Sequence, residues 1–178
     1  GSIGRQIAQI CGAMGMAVDG IGRGARPGDN DFGAIYAQAD LISVLSDYDF
    51  VVIAAPLTPD TEGLFGAAEF QAMASSARLI NIGRGPIVRT ADLVSALQDG
   101  EIDGAALDVF EQEPLPAEHP LWDLPNVAIS AHMAGDFIGW KRALSEQFIT
   151  NYRRWASGHT LNNIVDKAHG FVPSKVNE

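Results

Sequence analysis

Three ionisable residues follow apolar segments of this chain in the same manner. Arg84 stands in Asn81-Ile82-Gly83-Arg84-Gly85, after the run that begins at Arg78. Glu113 follows the apolar stretch Ile102 to Val109, and His132 follows Val127 to Ser130. A guanidinium held at a sheet's edge can fork onto a carboxylate with two parallel hydrogen bonds, which an ammonium cannot do. Arginine, glutamate and histidine at three successive strand ends therefore form a candidate active site for a small carboxylate. Taken alone, Arg84 also fits an exposed arginine capping a turn, since turns of this kind are common at strand ends.

The elements that must position these residues read as alternating helices and strands. Ile3, Ile7, Ile10, Cys11 and Met14 have helical spacing, and Gly15 stops that helix. Met16 to Ile21 reads as a strand, followed by a loop of glycine and charge from 22 to 34. Asp40 to Ser46 suits a short helix, and Phe50 to Ala55 a buried strand stopped by Pro56. Gly66 to Met73 is helical, and the strand ending at Asn81 comes next. Thr90 can cap a helix that runs to Asp99 with Ala91, Leu93, Val94 and Leu97 inward and Gly100 as its stop. Strands at 102–109 and 127–130 flank a proline-rich connection. From Gly135 a long helix carries Phe137, Trp140, Leu144, Phe148, Tyr152 and Trp155 on a face expected to pack on the sheet, with Gly158 ending it. The tail from Thr160, with Phe171, Val172 and Pro173, has no clear period. Alternation of this kind predicts an α/β fold with a parallel sheet, whose ligands bind beyond the carboxyl ends of the strands.

Composition narrows the function classes. The 178 residues suffice for one sizeable core, and 47% hydrophobic with 19% charged residues is ordinary globular usage. A formal net charge of -10 argues against nucleic acid and anionic membranes as partners. Cys11 is the single cysteine, which excludes an internal disulfide and a cysteine metal cluster, and no metal-ligand spacing is present. No apolar run approaches the roughly 20 residues of a membrane span. The default expectation is a cytoplasmic location.

The opening Gly1-Ser2-Ile3-Gly4-Arg5, a glycine pair at a helix start before a strand, fits the second half of a dinucleotide-binding βαβ unit, with Gly1 and Gly4 as the second and third glycines of G-x-G-x-x-G. Gly-Ser is also a frequent cloning remnant. Several further stretches agree in order and spacing. These are Pro56-Leu57-Thr58 with Thr61, Asn81 to Gly85, Leu107-Asp108-Val109-Phe110-Glu111-Gln112-Glu113-Pro114, and Ser130-Ala131-His132-Met133-Ala134-Gly135. In combination they closely resemble the signatures of the D-isomer-specific 2-hydroxyacid dehydrogenases, nearest to the glyoxylate/hydroxypyruvate reductase branch. Ala131, where proline is common, and Arg89, where Asp or Asn is common, depart from the usual pattern without touching the candidate trio.

The resemblance implies a Rossmann-like, doubly wound NAD(P)-binding domain at 1–158, lacking its first strand. Residues 159–178, from Asn163-Ile164-Val165-Asp166 onward, would return to a flavodoxin-like substrate domain that is otherwise absent. The strands flanking the missing one would then expose unpaired edges, so a longer polypeptide is expected. The resemblance puts Arg84 on the substrate carboxylate and keto oxygen. It makes His132 the general acid in reduction and the base in oxidation, and Glu113 the acceptor that fixes the His132 tautomer. Glu111 is then the solvated neighbour, because the family motif places its acid directly before proline, and His119, His159 and His169 are surface residues. Cofactor contacts are implied for Gly1, Ser2, Ile3 and Gly4 at the pyrophosphate. Asp108 would approach the carboxamide, and Pro56, Thr61, Ile82, Gly83, Ala134 and Gly135 would line the cleft. A homodimer through the nucleotide domain is also implied.

An NAD-preferring site wants an acidic residue at the end of the second strand, about 20 residues past the glycines. Gly22 occupies that position, with Asp19 three residues earlier, while Arg23 and Arg26 follow. Two arginines suit a 2′-phosphate, so NADP is expected over NAD. The reading is a hydride-transferring reductase of a small 2-keto acid. Its alternatives are a dinucleotide-sensing corepressor of the same fold and an inactive truncated member. Formate dehydrogenases of this fold typically place glutamine where Glu113 stands.

Overall fold

The computed structural model describes residues 1–167 and 172. The chain divides into two compact units, Gly1–Ala131 and His132–Glu178. No helix among the described residues is long and apolar enough to cross a membrane.

The first unit opens with helix α1, Ser2–Ala13, whose first turn carries no side-chain cap. The chain turns at Gly15, where a positive φ of 86° suits a residue without Cβ. Strands β1 (Gly20–Gly22), β2 (Arg26–Pro27) and β3 (Ala34–Ala37) make a small sheet in the order β1-β3-β2, with β1 parallel and β2 antiparallel to β3. The strand expected over 16–21 thus lies further on and is shorter. The Asp19 carboxylate takes the Ala34 N–H at 2.6 Å just where the ladder starts.

A short helix α2, Leu41–Val44, is flanked by 3-10 turns at Gln38–Asp40 and Leu45–Asp47. It leads to the main sheet of β4 (Phe50–Ile53), β5 (Arg78–Asn81), β6 (Gly104–Leu107) and β7 (Val127–Ile129). These four are parallel and ordered β4-β5-β6-β7, in register through Phe50↔Arg78, Arg78↔Gly104 and Ala105↔Val127. Helices α3 (Ala67–Ala72) and α4 (Thr90–Asp99) connect them, and α4 ends on Gly100 in the left-handed conformation. The apolar runs that define these strands close over one core, in which Phe70, Leu79, Ile87, Leu93, Ile102 and Leu121 are fully enclosed. Ala96 is buried on α4 beside Leu93 and Leu97, while Ala91 is exposed.

Thr90 does not cap α4. Arg89 is the cap residue, Thr90 is the first helical one, and its N–H is donated to the Glu111 carboxylate at 2.9 Å. Glu111 is therefore a structural acceptor rather than a merely solvated acid.

In the second unit, helix α5 spans Trp140–Ala156 after Gly139, which has a φ of 92°. The face expected to be buried is not: Leu144, Phe148, Tyr152 and Trp155 are 57–72% exposed, and no residue of α5 is buried. Helical spacing marks an amphipathic face but does not supply its cover. Tyr152 and Trp155 lean on one another, with ring centroids 6.0 Å apart. The chain beyond α5 folds back on it through Asn151, which accepts from the Asn162 N–H at 2.8 Å and donates to its carbonyl at 3.1 Å. His169, Phe171 and Pro173, and half of the expected return segment 159–178, lie outside the described residues.

Candidate active site and cofactor cleft

The Arg84 turn is built by Asn81, the last residue of β5. Asn81 is buried, accepts the Gly83 N–H at 3.0 Å and donates to the Arg84 carbonyl at 3.2 Å. The side chain closes the turn on itself and points residue 84 out of the sheet. The guanidinium is exposed and donates to the Gly83 carbonyl at 2.6 Å. Gly83 lies so close to the β4 end that a Cβ there would stand 2.8 Å from the Ala55 carbonyl. Ile82 N–H reaches the Ile53 carbonyl at 3.1 Å. The Pro56 loop closes beside it, with the Thr61 hydroxyl donating to the Pro56 carbonyl at 2.7 Å and accepting from the Thr58 N–H at 2.8 Å.

Glu113 sits in the loop after β6 and accepts the Phe110 N–H at 3.0 Å. Gly85 meets that same loop: a Cβ added there would run into the Phe110 carbonyl. The turn of Arg84 and the loop of Glu113 are thus brought together within the first unit. Asp108, at the end of β6, is 4% exposed and accepts from the Ser130 hydroxyl at 2.5 Å. His132 follows β7 by three residues and opens the second unit. Its φ of 53° is left-handed, which is uncommon for a non-glycine residue and recurs at functional positions. Ala134 and Gly135 follow it on exposed chain. Of the other histidines, His159 is exposed, while His119 is half-buried and accepts the Leu121 N–H on Nδ1 at 3.2 Å.

Gly1, Ser2 and Ile3 begin α1, where the first backbone N–H groups have no intrahelical acceptor. Nothing lies within 4 Å of a Cβ built on Gly1 or Gly4. Arg26 lies on β2, held opposite Ile35. Its Nη1 is 3.5 Å from where a Gly22 Cβ would stand, so it fills the space of the acid that an NAD-preferring strand end carries. Arg23 lies on the exposed loop between β1 and β2. Open backbone donors, a helix N-terminus and a guanidinium over a bare strand end fit a dinucleotide's phosphates. Asp19 is turned to other use. Its carboxylate holds Ala34 and accepts from the Tyr48 hydroxyl at 2.6 Å. Burial first, then that carboxylate, push the Tyr48 pKa up.

Sequence reasoning assigned no role to Asn81, Ser130 or Tyr48. Asn81 was open to inference, because an Asn directly before a glycine turn commonly bonds its own backbone. The other two act over 22 and 29 residues and left no local signal.

The family model described as "D-isomer specific 2-hydroxyacid dehydrogenase, NAD binding domain" matches residues 1–134. A glyoxylate/hydroxypyruvate reductase B of Citrobacter koseri is 54% identical over 133 residues, which are 75% of this chain and 37% of that protein. Its counterpart in Klebsiella pneumoniae is 44% identical over 174 residues, 97% of this chain and 50% of that protein. Among solved structures, the NADPH-dependent glyoxylate/hydroxypyruvate reductase of Sinorhizobium meliloti in complex with NADP and sulfate superposes with a TM-score of 0.88. It is 37% identical, over 96% of this chain and 54% of that one. The chain spans about half, or less, of the length of these relatives. The α/β fold, the four-stranded parallel sheet and the matched residues agree: the chain belongs to the D-isomer-specific 2-hydroxyacid dehydrogenases and carries their NAD-binding domain.

Proposed function

We propose that the protein reduces a small 2-keto acid, glyoxylate or hydroxypyruvate, with NADPH preferred over NADH. The observation that carries this reading is the order of the sheet. Arg84, Glu113 and His132 follow β5, β6 and β7, three adjacent parallel strands, in turn. The similarity to reductases named for these two acids supports the substrate class.

Arg84 forks onto the substrate carboxylate and lends positive charge to the keto oxygen as it gains electron density. His132 gives that oxygen a proton in reduction and takes it back in oxidation. Glu113 accepts from the imidazole and fixes which nitrogen carries the transferred proton. The bound nicotinamide supplies the hydride that completes the C–H bond. Ser2 and Ile3 offer backbone N–H groups to the pyrophosphate between Gly1 and Gly4, and Asp108 orients the carboxamide. Pro56, Thr61, Ile82, Gly83, Ala134 and Gly135 line the cleft. Arg26, with Arg23, binds the 2′-phosphate.

The same reading has a nucleotide domain at 1–158 with 159–178 belonging to a substrate domain, a homodimer, and a cytoplasmic reaction that involves neither membrane nor nucleic acid.

Oxidation of NADPH by the purified protein with a panel of 2-keto acids tests the proposal. Turnover of glyoxylate or hydroxypyruvate, with a higher kcat/KM for NADPH than for NADH, is expected. Unchanged turnover in His132→Ala at saturating cofactor would remove His132 from the mechanism.

A further inference from the structure

Arg5 lies one turn into α1, behind the residues assigned to the pyrophosphate, with its N–H on the Gly1 carbonyl at 3.1 Å. Its guanidinium is turned toward the loop between β2 and β3. It forks onto Asp29 at 3.1 and 2.6 Å and also reaches Asp31 at 2.6 Å. Gln9, one turn further along α1, donates to the other Asp31 oxygen at 3.0 Å. The Asp31 N–H returns to Asp29 at 3.0 Å, and the Arg5 guanidinium stands 5.5 Å from the Phe32 ring centre. Two residues on one face of α1 therefore grip two carboxylates and a ring within four residues of loop.

That stretch is mechanically continuous with β2. Arg26 and Pro27 pair with Ile35 and Ala34. The Asp29 N–H meets the Phe32 carbonyl at 2.8 Å, and a Cβ on Gly28 would collide with the Gly33 carbonyl. The two limbs touch backbone to backbone, so a shift of Asp29 is passed to Arg26.

On the reading that the cofactor carries a 2′-phosphate, we propose that Arg5 is a positioning residue for that phosphate. Through Asp29 and Asp31 it ties the 28–32 segment to α1 and keeps the Arg26 guanidinium over Gly22. The argument is geometric. Two carboxylates near a phosphate site weaken phosphate binding through space, and they already neutralise Arg5. Lysine keeps the charge of Arg5 but cannot fork onto both acids.

Calorimetric titration of the whole protein with NADP⁺ and with NAD⁺ tests the brace without relying on turnover. Asp29→Asn combined with Asp31→Asn is expected to raise the Kd for NADP⁺ by about tenfold, as a small network of exposed ion pairs allows, and to leave NAD⁺ within about twofold. Arg5→Lys should move the same ratio in the same direction. Through-space charge alone has the opposite sign for the double variant, since removing two negative charges tightens NADP⁺. An NADP⁺ affinity that is unchanged or tighter there overturns the proposal. If the double variant fails to fold by circular dichroism, Arg5→Lys decides by the same ratio. Arg26→Ala separates the two readings. Selective loss of NADP⁺ there, without loss in the brace variants, refutes the brace and leaves the 2′-phosphate reading standing. An unchanged ratio in Arg26→Ala refutes the 2′-phosphate reading and the brace with it.

Discussion

Gly85 packs its bare Cα against the carbonyl of Phe110, which joins the turn of Arg84 to the loop of Glu113. Gly85→Ala leaves no room for the new methyl, and the obstruction is backbone rather than a flexible side chain. One of the two loops must move. Misplacement by about 1 Å at a site of this kind costs about a hundredfold in rate. A fall in kcat/KM of that order is expected, together with a lower Tm. Gly12→Ala is the control: it lies in α1 with nothing within 4 Å of the added carbon. Replacing a helical glycine there should stabilise the protein by up to about 1 kcal/mol.

Glu111 and Glu113 are two residues apart and hold different backbone donors. Glu111 holds the first N–H of α4, whereas Glu113 holds the Phe110 N–H in its own loop. Glu111→Ala should cost about 1 kcal/mol, the usual loss for a helix N-terminal acceptor, with kcat retained. Glu113→Gln keeps the shape of the side chain and removes its charge. It should retain stability while kcat falls and the pH–rate profile changes. Urea denaturation and steady-state kinetics across pH separate the two. Equal loss of turnover in both variants would show that the acid was assigned to the wrong residue.

These contrasts also mark what the sequence could disclose. The strands β5, β6 and β7 are legible because buried parallel strands are short apolar runs bounded by glycine, asparagine and proline, as in Arg78–Asn81 before Gly83. Arg84, Glu113 and His132 stand out because they interrupt such runs at matching ends. The cap of α4 was hidden because its acceptor comes from 21 residues away, and local spacing favoured Thr90 instead. The exposed face of α5 misled for a different reason. Phe148 and Trp155 fall at helical spacing, but periodicity records that a face is apolar and not what covers it. The braces of the cofactor loop, Arg5 to Asp29 and Tyr48 to Asp19, are pairs of polar residues distant in sequence, which no periodic pattern encodes.

The Arg5 brace has an acid limit. Hydrogen bonds from Arg5, then the Asp31 N–H, hold the Asp29 carboxyl well below the usual carboxylate range, and Asp31 is lowered by Arg5 and then Gln9. A carboxyl with a depressed folded pKa contributes stability above its unfolded value, about 3.9, and loses it as pH falls through the folded value. The Tm of the parent protein should therefore fall more steeply below about pH 4 than that of Asp29→Asn. Parallel curves down to pH 3 would show that the pair contributes nothing to folding.

Tyr48 imposes the opposite limit at high pH. Its hydroxyl donates to Asp19, whose second oxygen holds the Ala34 N–H at the start of β3. Burial first, then that carboxylate, raise the phenol's pKa above its ordinary value. An unfolded tyrosine ionises near pH 10, so the unfolded chain loses this proton before the folded one does. The stabilisation is fully present below about pH 10 and disappears as pH rises toward the folded value. Tyr48→Phe should cost about 1–3 kcal/mol at neutral pH by leaving a half-buried carboxylate short of a donor. Above pH 10 the difference should shrink, because the parent protein alone has this proton to lose. Thermal unfolding of both proteins from pH 7 to 11 measures it, and a gap that stays constant across that range would show that Asp19 does not depend on the Tyr48 hydroxyl.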